Sequence, residues 1–219
     1  DANTTGNYNV AVGANSLSTN TTADNNTAIG VAALRDNITG CRNVAVGRSA
    51  LAVNTTGIEN IAIGRNTLDA NTTGSNNTAI GNSSLTTNTT GASNVAVGKD
   101  ALAANTTGAR NTGIGQNALL VNTTGANNTA VGQGALEANT TASDNAAFGH
   151  DSLVANTTGT QNAAYGYRSM PANTTGNDNA AVGHQALGSN TTGGCNTGIG
   201  INALLANTTG NLNVAIGGN

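Results

Sequence analysis

His150 and His184 are the only histidines in the chain and its most plausible metal ligands by type. Their spacing argues against that use. They occupy the same slot two repeats apart, about 9 to 10 Å if successive repeats stack as neighbouring strands, which is too far for one metal ion. As lone turn residues they are expected to be solvated. Cys41 and Cys195 stand nine repeats apart, about 43 Å by the same spacing, whereas bridged Cα atoms sit within about 7 Å. They are expected to stay free or to bond between chains.

Other chemistry is equally sparse. No carboxylate pair recurs, calcium-binding Gly-Asp nonapeptides are missing, and the glycines belong to a repeat rather than to a phosphate loop. The expectation is a non-enzymatic protein with no cofactor and no metal. Thirteen sequons, from Asn3-Thr4-Thr5 to Asn207-Thr208-Thr209 with Asn37-Ile38-Thr39 as the variant, match the N-glycosylation pattern, and Asn25, Asn76, Asn82 and Asn127 add four more. In a chain this rich in Asn and Thr such matches are frequent, and a turn-forming role accounts for the corner Asn as well.

The element that places these residues is a repeat. An Asn-Thr-Thr-Gly signature begins at positions 3, 20, 37, 54, 71, 88, 105, 122, 139, 156, 173, 190 and 207, always seventeen residues apart. A short fixed period is the mark of a solenoid. Residues 1–219 are therefore read as a single all-β domain, a parallel β-solenoid or β-roll of about thirteen coils. Numbered from that Asn, the slots read Asn-Thr-Thr-Gly-x-x-Asn-β-Ala-β-Gly-x-x-small-Leu-x-small, where β is mostly Val, Ile or Thr.

Slot 10 is Val or Ile except at Phe148 and Tyr165, and in those two copies slot 8 shrinks to Ala146 and Ala163. A large side chain is thus matched by a small one two residues before it, so slots 8 and 10 share one packed space, expected to be the interior. Slot 15, Leu in eleven copies and Met170 in another, supplies a second apolar rank.

Slot 9 faces the other way from slots 8 and 10. It holds Ala11, Ala28, Ala45, Ala62, Ala79, Ala96, Gly113, Ala130, Ala147, Ala164, Ala181, Gly198 and Ala215. A limit at one methyl group means another backbone lies close, and the expectation is an interchain face. The invariant Asn of slot 7 is Asn9, Asn26, Asn43, Asn60, Asn77, Asn94, Asn111, Asn128, Asn145, Asn162, Asn179, Asn196 and Asn213. In register these amides form a structural ladder, each bonding to the copies above and below. Slot 1 Asn offers a second ladder, although a turn-forming role accounts for it almost as well.

Glycine in slots 4 and 11 is expected to close the corners by adopting positive φ. One strand is expected over slots 7 to 10 and a weaker one near slots 14 to 17 or 1 to 3. Helix is the rival for slots 12 to 17, but six residues make fewer than two turns.

Composition narrows the partners. Charged residues make up 8% of the chain, and all occupy slots 5, 6, 12, 13, 16 or 17, the turns and solvent face. With a net charge of −3 there is no basic patch for phosphate contacts, so nucleic acid is not an expected partner. No apolar run approaches the ~20 residues of a membrane span, and residues 1–10 do not read as a signal peptide. No membrane insertion is expected in this segment. Asp1 and Ala2 fill slots 16 and 17 and Asn219 fills slot 13, with no polar cap at either end. A piece of a longer fibre, or end-to-end stacking of copies, is expected on that ground.

One coil orders seventeen residues around three aliphatic side chains and a few alanines, so burial must also come from stacking, ladder bonds and neighbouring chains. A homotrimer is the simplest solution. The segments Asn-Val-Ala-Val-Gly at 43–47 and 94–98, Asn-Ile-Ala-Ile-Gly at 60–64 and Asn-Val-Ala-Ile-Gly at 213–217 resemble the head repeats of trimeric autotransporter adhesins, and related repeats of phage-tail-fibre-like proteins. The resemblance implies a left-handed parallel β-roll with three chains side by side. It also implies an extracellular, cell-surface or virion location, in a fibre that adheres to a surface receptor or glycan. The seventeen-residue period and the Asn-Thr-Thr-Gly corner are departures from that family. An alternative function follows from slots 2 and 3, where Thr fills 25 of 26 positions: an ice-binding solenoid presenting a Thr/Asn ladder. Adjacent Thr on a strand point to opposite faces, so at most one file would face outward.

Overall fold

The computed structural model describes residues 3–218, and Asp1, Ala2 and Asn219, on which the reading of the chain ends rests, lie outside them. The chain is an all-β parallel solenoid with a seventeen-residue period, organised as two compact units. Residues 1–110 carry β1 (Val10–Val12), β2 (Thr27–Ile29), β3 (Val44–Val46), β4 (Ile61–Ile63), β5 (Thr78–Ile80) and β6 (Val95–Val97). Residues 111–219 carry β7 (Thr112–Ile114), β8 (Thr129–Val131), β9 (Ala146–Phe148), β10 (Ala163–Tyr165), β11 (Ala180–Val182), β12 (Thr197–Ile199) and β13 (Val214–Ile216). Inside each unit every strand pairs in parallel with the next at an offset of one repeat, as in Ile61↔Thr78 and Ala62↔Ala79.

Each strand covers only slots 8 to 10. Among the described residues there is no helix over slots 12 to 17, and no second strand in the coil either. The second strand fails because slots 13 and 15 take positive φ, as at Asn66 (54°) and Leu68 (52°), which bends the chain out of an extended path. The coils still bond there: Leu68 N donates to Ser84 O at 3.1 Å, and Ala70 N to Thr86 O at 3.1 Å. A left-handed conformation is costly for Leu. It recurs from coil to coil because it turns the side chain into the core, where Leu34, Leu51, Leu68 and Leu85 are fully buried.

The two faces of the strand are the reverse of the sequence expectation. Slot 9 points into the coil: Ala28, Ala45, Ala62 and Ala79 have no exposed surface, whereas Ile61 and Ile63 on either side are each 38% exposed. The interior already holds the slot 15 Leu and two buried Asn per coil, so the strand can add only a methyl group. The close backbone inferred from the Ala-or-Gly limit exists, but it belongs to the same chain. A methyl group on Gly198 would lie 3.1 Å from Ala203 O and 3.4 Å from Leu187 Cγ.

Slots 4 and 11 use glycine for different reasons. Slot 11 takes positive φ, as at Gly64 (135°) and Gly81 (131°). Slot 4 glycine does not; there a Cβ would crowd the slot 1 amide and the slot 4 carbonyl of the next coil. Ala23 and Ala142 nonetheless occupy slot 4 in two coils, and both are buried there.

Candidate functional site

Two features of the coil could carry function: a polar seam within it and an apolar stripe outside it. The seam begins with slot 1. Asn71 Nδ2 donates to Asn54 Oδ1 at 2.9 Å, and Asn88 Nδ2 to Asn71 Oδ1 at 2.9 Å, so the amides form a continuous rail along the first unit. In the second unit Asn156, Asn173 and Asn190 repeat it. Slot 1 is therefore a ladder as well as a corner.

Slot 7 forms the second rail. Asn77 donates both its backbone N–H, at 3.0 Å, and its side-chain amide, at 3.1 Å, to Asn60 Oδ1. Its Nδ2 also donates to Gly91 O at 2.9 Å, and Asn88 Nδ2 reaches the same carbonyl at 3.0 Å. The slot 4 carbonyl thus ties the two rails together. Asn26, Asn43, Asn60, Asn128, Asn162 and Asn196 are all essentially buried in this arrangement, which meets the requirement that buried amides be bonded. The shared carbonyl was not legible in sequence, because Gly at slot 4 advertises only the absence of a side chain.

Among the described residues the buried amides of both rails bond to amides of neighbouring coils and to slot 4 carbonyls, which locks the register of the coils.

The outward stripe is formed by slots 8 and 10. Ile29, Ile61, Ile63 and Ile80 in the first unit, and Ile114, Val182 and Ile199 in the second, are each more than a third exposed. No charged residue falls in either slot. In the second unit the stripe changes character: Phe148 and Tyr165 stack with centroids 4.9 Å apart and planes 6° from parallel. Beyond them, in slot 12, His150, Tyr167 and His184 form a second column with centroids 5.5 Å apart at each step. Tyr167 therefore stands between the two histidines. His150 Nδ1 also lies 3.2 Å from Asp151 Oδ2.

Among the described residues no group of three or more His, Cys, Asp or Glu is placed to hold a metal ion, and no helix is long and apolar enough to cross a membrane. Cys41 and Cys195 belong to different units; Cys41 Sγ accepts from Asp24 N and donates to Thr39 O, each at 3.4 Å. Along the turns Arg35 pairs with Asp36 in its own coil and Arg42 with Glu59 in the next. Arg35 holds Asp36 in a two-point hydrogen bond that lowers the carboxyl pKa and raises that of the guanidinium.

The threonines divide by slot. Slot 2 hydroxyls are engaged between coils, as in Thr72 Oγ1 donating to Thr89 O at 3.1 Å. Slot 3 threonines, including Thr56, Thr73 and Thr90, are exposed.

No protein-family model matches the chain, and no curated protein or solved structure matches it.

Proposed function

We propose that this chain is a non-enzymatic structural segment of an extracellular fibre, of the adhesin or tail-fibre kind, in which three copies pack side by side through the slot 8 and slot 10 stripe. The observation that supports this is the stripe itself. It is uncharged and mostly apolar, with Thr in slot 8 of five coils, it recurs in coil after coil, and a chain in water gains by covering such a surface. The interchain face moves accordingly from the slot 9 alanines to their outward neighbours. Left-handed winding, three copies and a surface receptor or glycan as target come from the likeness to adhesin head repeats and belong to the same proposal.

The test is the solution mass of the full chain by analytical ultracentrifugation, beside a variant carrying Ile63→Lys and Ile80→Lys. The expected result is a trimer that falls to monomer in the variant with its circular dichroism unchanged. A monomeric parent chain at all accessible concentrations would overturn the reading.

A second reading rests on the exposed slot 3 threonines: an ice-binding surface. The slot 2 hydroxyls face between coils rather than toward water, which leaves one Thr file where a flat lattice match wants two. Thermal hysteresis and ice-recrystallisation assays on the same material decide it, and activity at micromolar concentration would favour this reading over the fibre.

A further inference from the structure

The outward stripe has a problem that uniform repeats create for any self-association. If copies lie side by side with their coils level, a slip of one coil sets slot 8 and slot 10 residues against near-identical ones, and only the contact of one coil is lost. Side-by-side packing of a perfect repeat therefore does not specify its own register.

One part of the second unit breaks the degeneracy. In β9 and β10 the stripe reads Ala146-x-Phe148 and Ala163-x-Tyr165, and Ala180 in β11 continues the small residues of slot 8. Both slots point outward, so shrinkage of slot 8 beside the rings answers a limit on the outside of the coil. Water sets no such limit; a packed partner does. Phe148 and Tyr165 stack on each other, and Tyr165 remains 42% exposed, which leaves ring surface available to a facing chain.

We infer that the Phe148–Tyr165 layer, with Ala146, Ala163 and Ala180 beside it, is a register key whose partner is the same layer in a second copy of this chain. With copies level, rings meet rings and the alanine niche gives them room. Slipped by one coil, one ring layer faces the Val and Thr of an ordinary coil, which has no niche to receive it. This inference rests on self-association through the stripe and adds to it the residues that set its alignment.

The experiment uses full-length chains with Cys41 and Cys195 replaced by Ser. One population carries Ile114→Cys in β7 and another Val131→Cys in β8, and oxidative cross-linking of the mixture reports alignment. Like-to-like disulfides mark level chains, and mixed disulfides mark a one-coil slip. In the otherwise native background, like-to-like products are expected to exceed mixed ones about tenfold, as one aromatic contact's worth of preference implies. Replacing the key with ordinary residues (Ala146→Thr, Phe148→Val, Ala163→Thr, Tyr165→Ile) is expected to bring the two products to parity while the mass stays trimeric.

A second variant guards against loss of assembly. It moves the layer one coil along, with Ala146→Thr, Phe148→Val and Val182→Phe. Carrying Val131→Cys and mixed with Ile114→Cys chains that keep the native layer, it is expected to raise the slipped, mixed disulfide well above its share in the native mixture, with like-to-like products persisting from pairs of the same chain. A mixed disulfide that rises in neither variant would overturn the register key and leave self-association standing. A monomeric parent chain would instead remove the reading on which the key rests.

Discussion

Asn60 and Asn71 donate their side-chain amides to one carbonyl, that of Gly74, each at 2.9 Å. One belongs to the slot 7 rail of its coil and the other to the slot 1 rail of the next, so the two rails are a single cross-braced structure. A defect in either should therefore be felt in both.

Asn71→Ala tests that coupling. It removes the acceptor of Asn88 Nδ2, the donor to Asn54 Oδ1 and one donor to Gly74 O. With these groups buried, the expected loss is about 3 kcal/mol in chemical denaturation. Asn71→Asp should cost at least as much, because its oxygens would face two acceptors. Thr73→Ala, on the exposed slot 3 of the same coil, should stay within about 0.5 kcal/mol. A loss for Asn71→Ala no greater than that of Thr73→Ala would mean the rail contributes nothing to stability.

Ala62→Leu tests which face of the strand is inside. Ala62 is fully buried and its neighbours are not, so three added carbon atoms should overpack the coil and cost about 3 kcal/mol or more in a thermal melt of the isolated chain. Ile61→Thr, the residue that slot 8 carries at Thr78, should change that melt by less than about 1 kcal/mol. The opposite ranking would restore the slot 9 face to the outside.

Gly81 and Gly134 both have positive φ, at 131° and 66°, yet should respond in opposite ways. A Cβ on Gly81 would lie 2.6 Å from Gly98 O and 2.7 Å from Gly98 C, backbone atoms that cannot withdraw. Gly81→Ala should cost about 3 kcal/mol or more, combining strained φ with overpacking. Gly134 stands in slot 13, where Asn66 and Asn117 adopt the same turn, and its nearest obstacle is the side chain of Asp151. Gly134→Asn should be neutral or stabilise by about 0.5 kcal/mol through the unfolded state. Urea midpoints of the two variants give the comparison.

Asp36 gives a small pH dependence of known sign. Hydrogen bonds from Arg35 lower its carboxyl pKa in the folded chain, so its contribution is present above the unfolded value of about 3.9 and disappears as pH falls through the folded one. The two side chains are 41% and 36% exposed, and screening by water and salt keeps that contribution below about 1 kcal/mol. The stability difference between the parent chain and Asp36→Asn should be positive at neutral pH and shrink below about pH 4. A difference that grows in acid would contradict the assignment.

What the sequence disclosed divides along physical lines. Period and strand were legible in segments such as Ile61-Ala62-Ile63, because alternation and self-similarity are properties of sequence alone. Alternation separates two faces without saying which is inside, and the larger Ile residues pointed the wrong way. The answer depended on how much room Leu68 and the buried amides of Asn60 and Asn71 had already taken, a matter of volume around a closed coil. The slot 7 rail was visible in its unbroken Asn. The left-handed turn at Leu68 was not, since its local cost would steer any propensity argument away from it.

The rails also bear on how such a chain can change over generations. Asn54 meets Asn71 as Asn71 meets Asn88, so deleting residues 71–87 would bring Asn54 to Asn88 with the same bond. Deleting one residue fewer would leave Thr87 as a surplus residue between Ala70 and Asn88, in a junction coil that has no slot for it. Length is thus heritable in whole steps of the repeat, and unequal recombination between such similar stretches of coding DNA would lengthen or shorten the protein without asking it to solve a new folding problem. Chains lacking residues 71–87 should keep the circular dichroism and cooperative melt of the parent, whereas chains lacking residues 71–86 should melt at a lower temperature.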